Sequence, residues 1–552
     1  MRKIDNRPSI KGGVAAMLRS HWGVEKRTAG RAETRSAVAW SVVVLALVSL
    51  LPTSPAQAQP PRSARDENPL APAPEQVGDL TSRYKLVERY TTTPEKAEAG
   101  DVGQYRVAIR DVLKVISEKS QGTPERKETS VQIIFTERPV LVNSTGVVTD
   151  TIRHYEAFRV SPAPAGLKPS AAKPLDGLTV WEKLLPGGNP LLISLTKNRG
   201  LTETESSINA RVVFMPALAA ALPALPSRVG DRWRIPKSAS MALLGERAMQ
   251  GDSLTGTLID VRKGAEGGEM SAIIGVTGHA LMPPNGADTA LNARITFRFS
   301  APAKGNGPGF STGPIEARGR ITELRLAKSS TAGIPGSNGR RKRTFTHELI
   351  LQRPLADPGA PIALVDEPKP TTENSWLRYD DPQGRFTFRH PQELQVDTRM
   401  PLEDSVQLVE ITAGGFPDKV FTLQLQPKTG KPDVDRNNLD PEFHIKTLAE
   451  EWSKKRQEVI RGPSGWLPEA DWQASKLKVY RIEAAFKIGG ASGASSKDAQ
   501  RVFFDYYLVL TSQNESLAVT SMTADDPPLP YRNEVESILR TIQLGPAAKP
   551  EE

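Results

Sequence analysis

Cysteine is absent from this 552-residue chain, which excludes disulfide staples, a thiolate nucleophile and a cysteine-linked lipid anchor. The fold must therefore rest on apolar cores. Histidine is scarce as well. His21, His154, His279, His347, His390 and His444 are scattered, with no His-x-His or His-x-x-x-His pair to pre-form a metal site, and each is expected at the surface or at a strand edge. No phosphate-cradling glycine loop or dinucleotide fingerprint is present, which removes further enzyme classes. Long apolar runs are missing too, with one exception, Ala37–Leu51, which falls short of the roughly 20 residues that a membrane-spanning helix needs.

That exception carries a location signal. A basic leader precedes it, Pro52 breaks it, and the small-residue pattern Ala56-Gln57-Ala58 follows. Together these read as an export signal cut after Ala58, which places the chain from Gln59 onward outside the cytoplasm, periplasmic or secreted. The leader is long, so the start lies at Met1 or at Met17. An uncleaved Ala37–Leu51 anchor in the inner membrane, with Arg31 and Arg35 held inside, is the alternative. The leader also explains the charge. The chain holds 72 basic and 63 acidic residues, a net +9; the first 58 residues account for nine and three of them, which leaves 63 against 60, or +3, for the rest. Nucleic-acid binding thereby loses its electrostatic case. The one basic cluster, Arg340-Arg341-Lys342-Arg343, has no interleaved aromatic for base stacking and reads as a solvated strand edge.

Composition then divides the chain. Residues 59–76 are rich in Pro and Ala and read as a disordered tether. A second stretch, with Pro354, Pro358, Pro361, Pro368 and Pro370, reads as a linker over 354–373. Domains are expected at 77–353 and 374–545, with a disordered tail at 546–552.

The first domain alternates with period two. Ile295, Phe297 and Phe299 fall on one face of a strand while Arg294, Thr296 and Arg298 fall on the other, and Tyr105, Val107 and Ile109 repeat the pattern. Phe345 does so near the end of the region. Further strands are expected at Val131–Glu137, Ile152–Val160, Ile208–Phe214, Ser253–Val261, Glu269–Val276 and Gly319–Leu326. So many strands with few helices between them predict a mainly antiparallel β domain, a sandwich or half-barrel. The Pro-bounded, Ala/Leu-rich Met215–Pro226 reads as a short helix that plugs the open side of the sheet. It leads into Arg228-Val-Gly-Asp-Arg-Trp233, a Gly-Asp turn into a strand. This stretch resembles the "LP..pv.vGD.W" passage of β-rich secreted proteins, a structural signature with no site attached.

The second domain mixes strands and helices. Two short strands flank the Asp-Pro-Gln-Gly turn within Trp376–Pro391, and strands follow at Val406–Thr412 and Val420–Gln426. A helix is expected from Asp440 to Arg461, with Asp440 as N-cap, Pro441 at its first position and an apolar stripe of Ile445, Leu448, Ala449 and Trp452. Strands Val479–Ile488 and Arg501–Leu510, joined by the loop Gly489–Lys497, precede a strand at Ser516–Ala524 and a closing helix at Tyr531–Gln543. The opening Tyr379–Pro391, the central helix, the long paired strands and the final helix together resemble the PsbP/DcrB/Mog1-like fold. The resemblance implies an α+β domain whose antiparallel sheet is flanked by helices, and a binding or adaptor role without shared catalytic residues. The chain as a whole resembles an uncharacterised family of large exported bacterial proteins.

Four constellations could carry chemistry. Gly309-Phe310-Ser311-Thr312-Gly313 matches the G-x-S-x-G nucleophile elbow, and Glu316 or Glu323 followed by His347 permits triad order. Pro308 and Pro314 bracket it, however, and a hairpin loop explains its glycines better. His347-Glu348 begins like a zinc-protease helix, but Leu351 stands where the second His belongs. Asp433, Asp435 and Asn437 match the start of a calcium loop; Asn438 and His444 break the rest, leaving an Asx-rich loop before a helix. Asp505 interrupts an apolar strand and needs a structural partner, for which Arg501 and Tyr507 are candidates. No catalytic, cofactor or metal residue is assigned. The sequence predicts an exported, non-catalytic binding or adaptor protein of the cell envelope, engaging an envelope protein or an apolar ligand and no nucleic acid. The alternatives are an exported serine-type hydrolase using Ser311 and a structural envelope component anchored by the leader helix.

Overall fold

The computed structural model describes residues 82–545 except 93–100, 120–122, 144–146, 162–174, 185–189, 198, 246–250, 264–268, 283–286, 301–313, 334–341, 356, 382, 397–404, 412–416, 427–431, 455–458, 474, 489–499 and 512–514. The export signal with its Ala37–Leu51 run, the 59–76 tether, the Gly489–Lys497 loop and the 546–552 tail therefore lie outside the described residues. Among those described, no helix is long and apolar enough to cross a membrane. The chain divides into two compact units, with the boundary between Ser375 and Trp376. Large antiparallel sheets dominate and helices are few.

The strands of the first unit are β1 (Tyr84–Val87), β2 (Tyr105–Ser117), β3 (Glu125–Val142), β4 (Val148–Ser161), β5 (Thr179–Leu184), β6 (Pro190–Ser194), β7 (Leu201–Thr202), β8 (Arg232–Arg234), β9 (Gly251–Asp252), β10 (Thr255–Lys263), β11 (Glu269–Met282), β12 (Ala287–Ser300), β13 (Ile315–Gly333) and β14 (Lys342–Gln352). One sheet of 13 strands runs in the order β6-β5-β4-β3-β2-β14-β13-β12-β11-β10-β8, with β9 added on β11 and β1 on β13. The β1–β13 pair is parallel, and neighbours along the path run antiparallel. The alternation read from the sequence is the reason. On β12, Leu291, Ala293, Ile295, Phe297 and Phe299 are buried on an inner face, each fully buried large side chain contributing about 1.5–3 kcal/mol.

Three short helices, α1 (Glu203–Arg211), α2 (Met215–Ala219) and α3 (Lys237–Leu244), pack on that inner face. They bury Ile208, Met215, Leu218, Met241, Leu243 and Leu244, and Lys328 on β13 donates to the Leu244 carbonyl at 2.5 Å. The strand expected at Ile208–Phe214 is thus a correction: Ile208 belongs to α1. That helix is started by a capping box in which the Thr202 hydroxyl accepts from the Glu205 amide and the Glu205 carboxylate accepts from the Thr202 amide. Trp233 on β8 donates its indole N–H to the Ala221 carbonyl at 3.0 Å. Its ring lies over Gly256, where an added Cβ would come within 2.6 Å of the indole. The cluster expected as a strand edge is corrected too. Lys342 and Arg343 open β14, which is paired on both sides, with β13 and β2; residues 340 and 341 lie outside the described residues.

The Pro-rich segment after β14 is bound to the first unit as a strap across the outer face. Asp357 pairs with Arg106 at 2.8 Å. The Gln104 amide donates to the carbonyls of Pro358 and Ala360 and accepts from the Ile362 amide, and Arg138 donates to the Ile362 carbonyl. Ile362 packs on Ile152, Trp181 and Ile193, Lys183 pairs with Glu367, and the Ser194 amide donates to the Asn374 carbonyl at 2.8 Å. At Gly359 (φ +76°) a Cβ would meet the Thr136 hydroxyl at 1.9 Å, so only glycine lets the strap lie this close.

The second unit contains β15 (Leu377–Asp380), β16 (Phe386–His390), β17 (Gln395–Val396), β18 (Ser405–Ile411), β19 (Pro417–Gln426), β20 (Val459–Trp466), β21 (Lys478–Ile488), β22 (Gln500–Leu510), β23 (Ser516–Thr523) and β24 (Gln543–Leu544), with α4 (Pro432–Asn438), α5 (Pro441–Lys454) and α6 (Leu529–Arg540). Seven strands form an antiparallel sheet in the order β17-β18-β19-β23-β22-β21-β20, and β16 pairs with both β15 and β24. Alternation on β22 separates two cores. Tyr507 and Val509 pack with Tyr531, Val535, Ile538 and Leu539 of α6, whereas Phe504, Tyr506 and Leu508 pack with Ile445 and Leu448 of α5. The sheet therefore has a helix on each face. Asp440 caps α5, its carboxylate accepting from the Glu442 amide at 3.0 Å. The helix ends at Lys454 rather than Arg461, because Val459, Ile460 and Arg461 pair with β21 as a strand. The Asx-rich stretch at Asp433–Asn437 is also corrected: it is the short helix α4.

Candidate functional site

Period-two alternation in β2, β3 and β4 places Tyr105, Glu137 and Arg153 side by side on the inner face, Tyr105 opposite Glu137 and Glu137 opposite Arg153. The Tyr105 hydroxyl donates to one oxygen of Glu137. Arg153 donates to the other through Nε at 2.8 Å, reaches Glu182 of β5 at 3.0 Å, and lies over the Phe135 ring at 4.6 Å. Asn209 of α1 accepts from Arg153 at 3.2 Å and from the Tyr155 hydroxyl. On the other side of Tyr105, the Arg353 guanidinium stacks on the ring at 4.1 Å and pairs with Glu88 at 2.6 Å. Glu88 also accepts from the Ile321 amide. Two guanidiniums and three carboxylates thus form one buried chain from Glu88 to Glu182, with the side chains of Glu88, Arg353, Glu137 and Arg153 at 0% exposure and Glu182 at 2%.

Electrostatics hold the phenols and guanidiniums of this chain protonated near neutrality. Burial pushes the phenols of Tyr105, Tyr155 and Tyr90 up, so they stay protonated. Burial also pulls the Arg153 guanidinium down, but Glu182 and Glu137 outweigh it and hold the group charged; Glu88, Tyr90 and Tyr105 do the same for Arg353. A phenol or guanidinium held protonated and away from solvent does not transfer protons to a substrate. Chemically the chain can pin strands and helix together, since each charge is useful only while its partner stays in place. Nε and Nη2 of Arg353 and Nδ2 of Asn209 have no hydrogen-bond partner among the described residues.

The second unit has its own network between sheet and helix. Asp505 receives two hydrogen bonds from Arg532 of α6, at 3.0 and 2.9 Å, and Arg532 also meets Glu483 at 3.0 Å. Arg481 bridges Glu483 and Glu536. Burial raises the Asp505 carboxyl against the pull of Arg532. Neither partner expected for Asp505 is used; the helix that supplies Arg532 lies beyond the reach of local sequence spacing. Nearby, burial raises the Glu534 carboxyl to about 7, with Lys419 opposing and Glu393, Glu410 and Asp525 adding to it.

Two histidines depart from the surface positions expected of them. His390 is fully buried and bonds the Pro391 carbonyl. His444 is buried between the Asn438 carbonyl at 3.2 Å and the Tyr506 hydroxyl at 2.8 Å. A carbonyl only accepts, so Nε2 carries the proton and Nδ1 accepts from Tyr506, while burial pulls the imidazole down and keeps it neutral. His154 bonds Thr179, and exposed His279 pairs with Asp288.

Ser311 and its elbow lie outside the described residues. The other members of that triad order are not brought together. His347 on β14 stands opposite Lys328, and Glu323 opposite Gln352, a separation of five residues along β13, or about 17 Å. Glu316 pairs with Arg318 and Arg89, and His347 faces Asp111 at 3.8 Å. Among the described residues, no group of three His, Asp or Glu is placed to hold a metal ion.

No protein-family model matches the chain, and no curated protein does. Solved structures are similar to parts of it. A point mutant of the protein Mog1 is 9% identical, with 31% of this chain and 97% of that chain covered and a TM-score of 0.20. A lipovitellin structure concerned with lipid–protein interactions is 10% identical over 49% of this chain and 27% of that chain, with a TM-score of 0.25. Pseudomonas aeruginosa OccK11 (OpdR) is 7% identical over 76% and 94% of the two chains, with a TM-score of 0.10. At these scores none of the three bears on activity.

Proposed function

We propose that the chain is an exported, non-catalytic binding or adaptor protein of the cell envelope, its first unit a half-barrel and its second a PsbP/DcrB/Mog1-like module. One observation carries the reading. In both units buried or largely buried guanidiniums face carboxylates, as Arg353 with Glu88, Arg153 with Glu137 and Glu182, and Arg532 with Asp505 and Glu483. Charges engaged in this way support a scaffold whose work is done by its surfaces.

Mass spectrometry of the natively purified protein tests it: a mature terminus at Gln59 and a co-purifying envelope protein or apolar ligand are the expected result. Retention of the leader would make it an anchored envelope component instead. Labelling of the wild type by a fluorophosphonate probe, lost in Ser311→Ala, would make it a serine hydrolase and overturn the reading.

A further inference from the structure

The outer face of the first unit carries a row of arginines that runs across the strands rather than along them. Arg294 of β12 stands directly opposite Arg325 of β13. Arg325 is opposite Ile350 of β14, Ile350 opposite Arg110 of β2, Arg110 opposite Gln132 of β3 and Gln132 opposite Arg159 of β4. On the other side Arg294 is opposite Gly275 of β11, and the Ile259 side chain lies so close over Gly275 that an added Cβ would meet it at 2.7 Å. A parallel row repeats the motif, with Arg298 directly opposite Arg320. Arg325 and Arg159 have half-buried acidic partners, Glu323 and Asp176; among the described residues Arg294 and Arg110 have none.

Like charges directly opposite each other on a sheet face are destabilising. Arg298 has Glu269 at 3.3 Å and Arg325 has Glu323 at 2.9 Å, so the charge of this face left without a carboxylate among the described residues lies on Arg294 and Arg110, where an anion would be taken. The occupant has to span strands: five inter-strand spacings, about 24 Å, separate Arg294 from Arg159. Ile259 (44% exposed) and Ile350 (36% exposed) stand in the same row, so guanidiniums alternate with apolar tips. Basic heads interleaved with exposed aliphatic side chains suit an anionic lipid interface, where phosphates take the charges and the acyl boundary takes the isoleucines. An acidic polypeptide would satisfy the arginines but leave the isoleucines in water. We propose that this outer face of the first unit docks on the surface of an anionic phospholipid bilayer, with Arg294, Arg325 and Arg110 as its phosphate contacts.

The test is sedimentation of the full-length protein with vesicles of equal phosphatidylglycerol and phosphatidylcholine, compared with phosphatidylcholine alone, at low and high salt. Each basic residue near an anionic surface strengthens partitioning about fivefold, so Arg294→Gln/Arg325→Gln/Arg110→Gln binds about 100-fold more weakly. A control losing the same charge at the β8 edge, Arg228→Gln/Arg232→Gln/Arg234→Gln, retains most of the binding. Both variants contain the same leader, which therefore cancels from the comparison. The melting temperature of the row variant stays level or rises, since like-charge repulsion is removed. Equal loss in both variants would reduce the effect to bulk charge and overturn the proposal. So would binding to soluble polyglutamate with the same arginine dependence but no binding to vesicles.

Discussion

Replacing Arg353 by methionine should destabilise the first unit by about 3–5 kcal/mol, the usual cost of removing one partner of a buried ion pair. The structure says why the loss is chiefly electrostatic. Methionine keeps much of the volume and retains contact with the Tyr105 ring that the guanidinium covers at 4.1 Å, but Glu88 is left at 0% exposure with neutral donors beside it, the Ile321 amide and the Tyr90 hydroxyl, and no cation. With a urea dependence of about 3 kcal/mol per molar, the midpoint falls by roughly 1–1.7 M. Urea unfolding followed by hydrogen exchange of peptides from β13 confines the measurement to the first unit. Glu88→Gln alone should be comparably harmful, because Arg353 already has two unpartnered nitrogens and would lose its ion pair. The double variant Glu88→Gln/Arg353→Met should recover at least half of the summed loss, since it leaves no unpaired buried charge. A midpoint shift below about 0.3 M for Arg353→Met, or strictly additive losses in the double variant, would refute the buried-pair account.

Glu534, raised to about 7 when folded against an ordinary 4.5, takes up a proton on folding. Stability from this group is full below about 4.5 and declines as pH rises toward 7, so Glu534→Gln should narrow the gap between melting temperatures at pH 5 and pH 8. His444 has the opposite sign: lowered on folding from 6.5, it withdraws stability as pH falls below 6.5. His444→Leu should flatten acid unfolding in that window while costing about 1–3 kcal/mol at pH 8, through the acceptor that the Tyr506 hydroxyl loses. Gly359→Ala should cost about 1–2 kcal/mol from its left-handed backbone alone. Limited proteolysis should then find the 357–374 strap cut faster than in the wild type.

The strands were legible because one face of each is dry. Leu291, Ala293, Ile295, Phe297 and Phe299 announce β12 unaided. Where apolar density was not strictly alternating, the reading failed. Ile208, Val212, Val213 and Phe214 resemble a strand, yet the Thr202–Glu205 capping box was there to be read. Val459 and Ile460 extended a helical run whose real end is set by pairing with β21. The buried charge chain left no local trace. Arg153 sits in a stretch that alternates like its neighbours, and its partners Glu137 and Glu182 are brought to it by register between strands, a relation that no window along the chain contains. Asp505 within an apolar strand calls for a partner, but Arg532 comes from the closing helix. The arginine row was half visible, since Arg294 and Arg298 were seen to face away from the core, while their opposition to Arg325 and Arg320 required the pairing of β12 with β13.

The Glu88–Arg353 pair joins positions 265 residues apart, and β1 pairs with β13 across a similar interval. During synthesis the earliest strand therefore emerges with nothing to join. It must wait while the ribosome adds more than two hundred residues before β13 is made, and Glu88 has no charged partner until Arg353 has followed. Closure that depends on the last-made piece is slow and leaves strand edges open in the interval. Nascent chains of this protein should accordingly stay protease-sensitive until the strap has been made, and release from the ribosome before residue 353 should yield a product that cannot close its sheet.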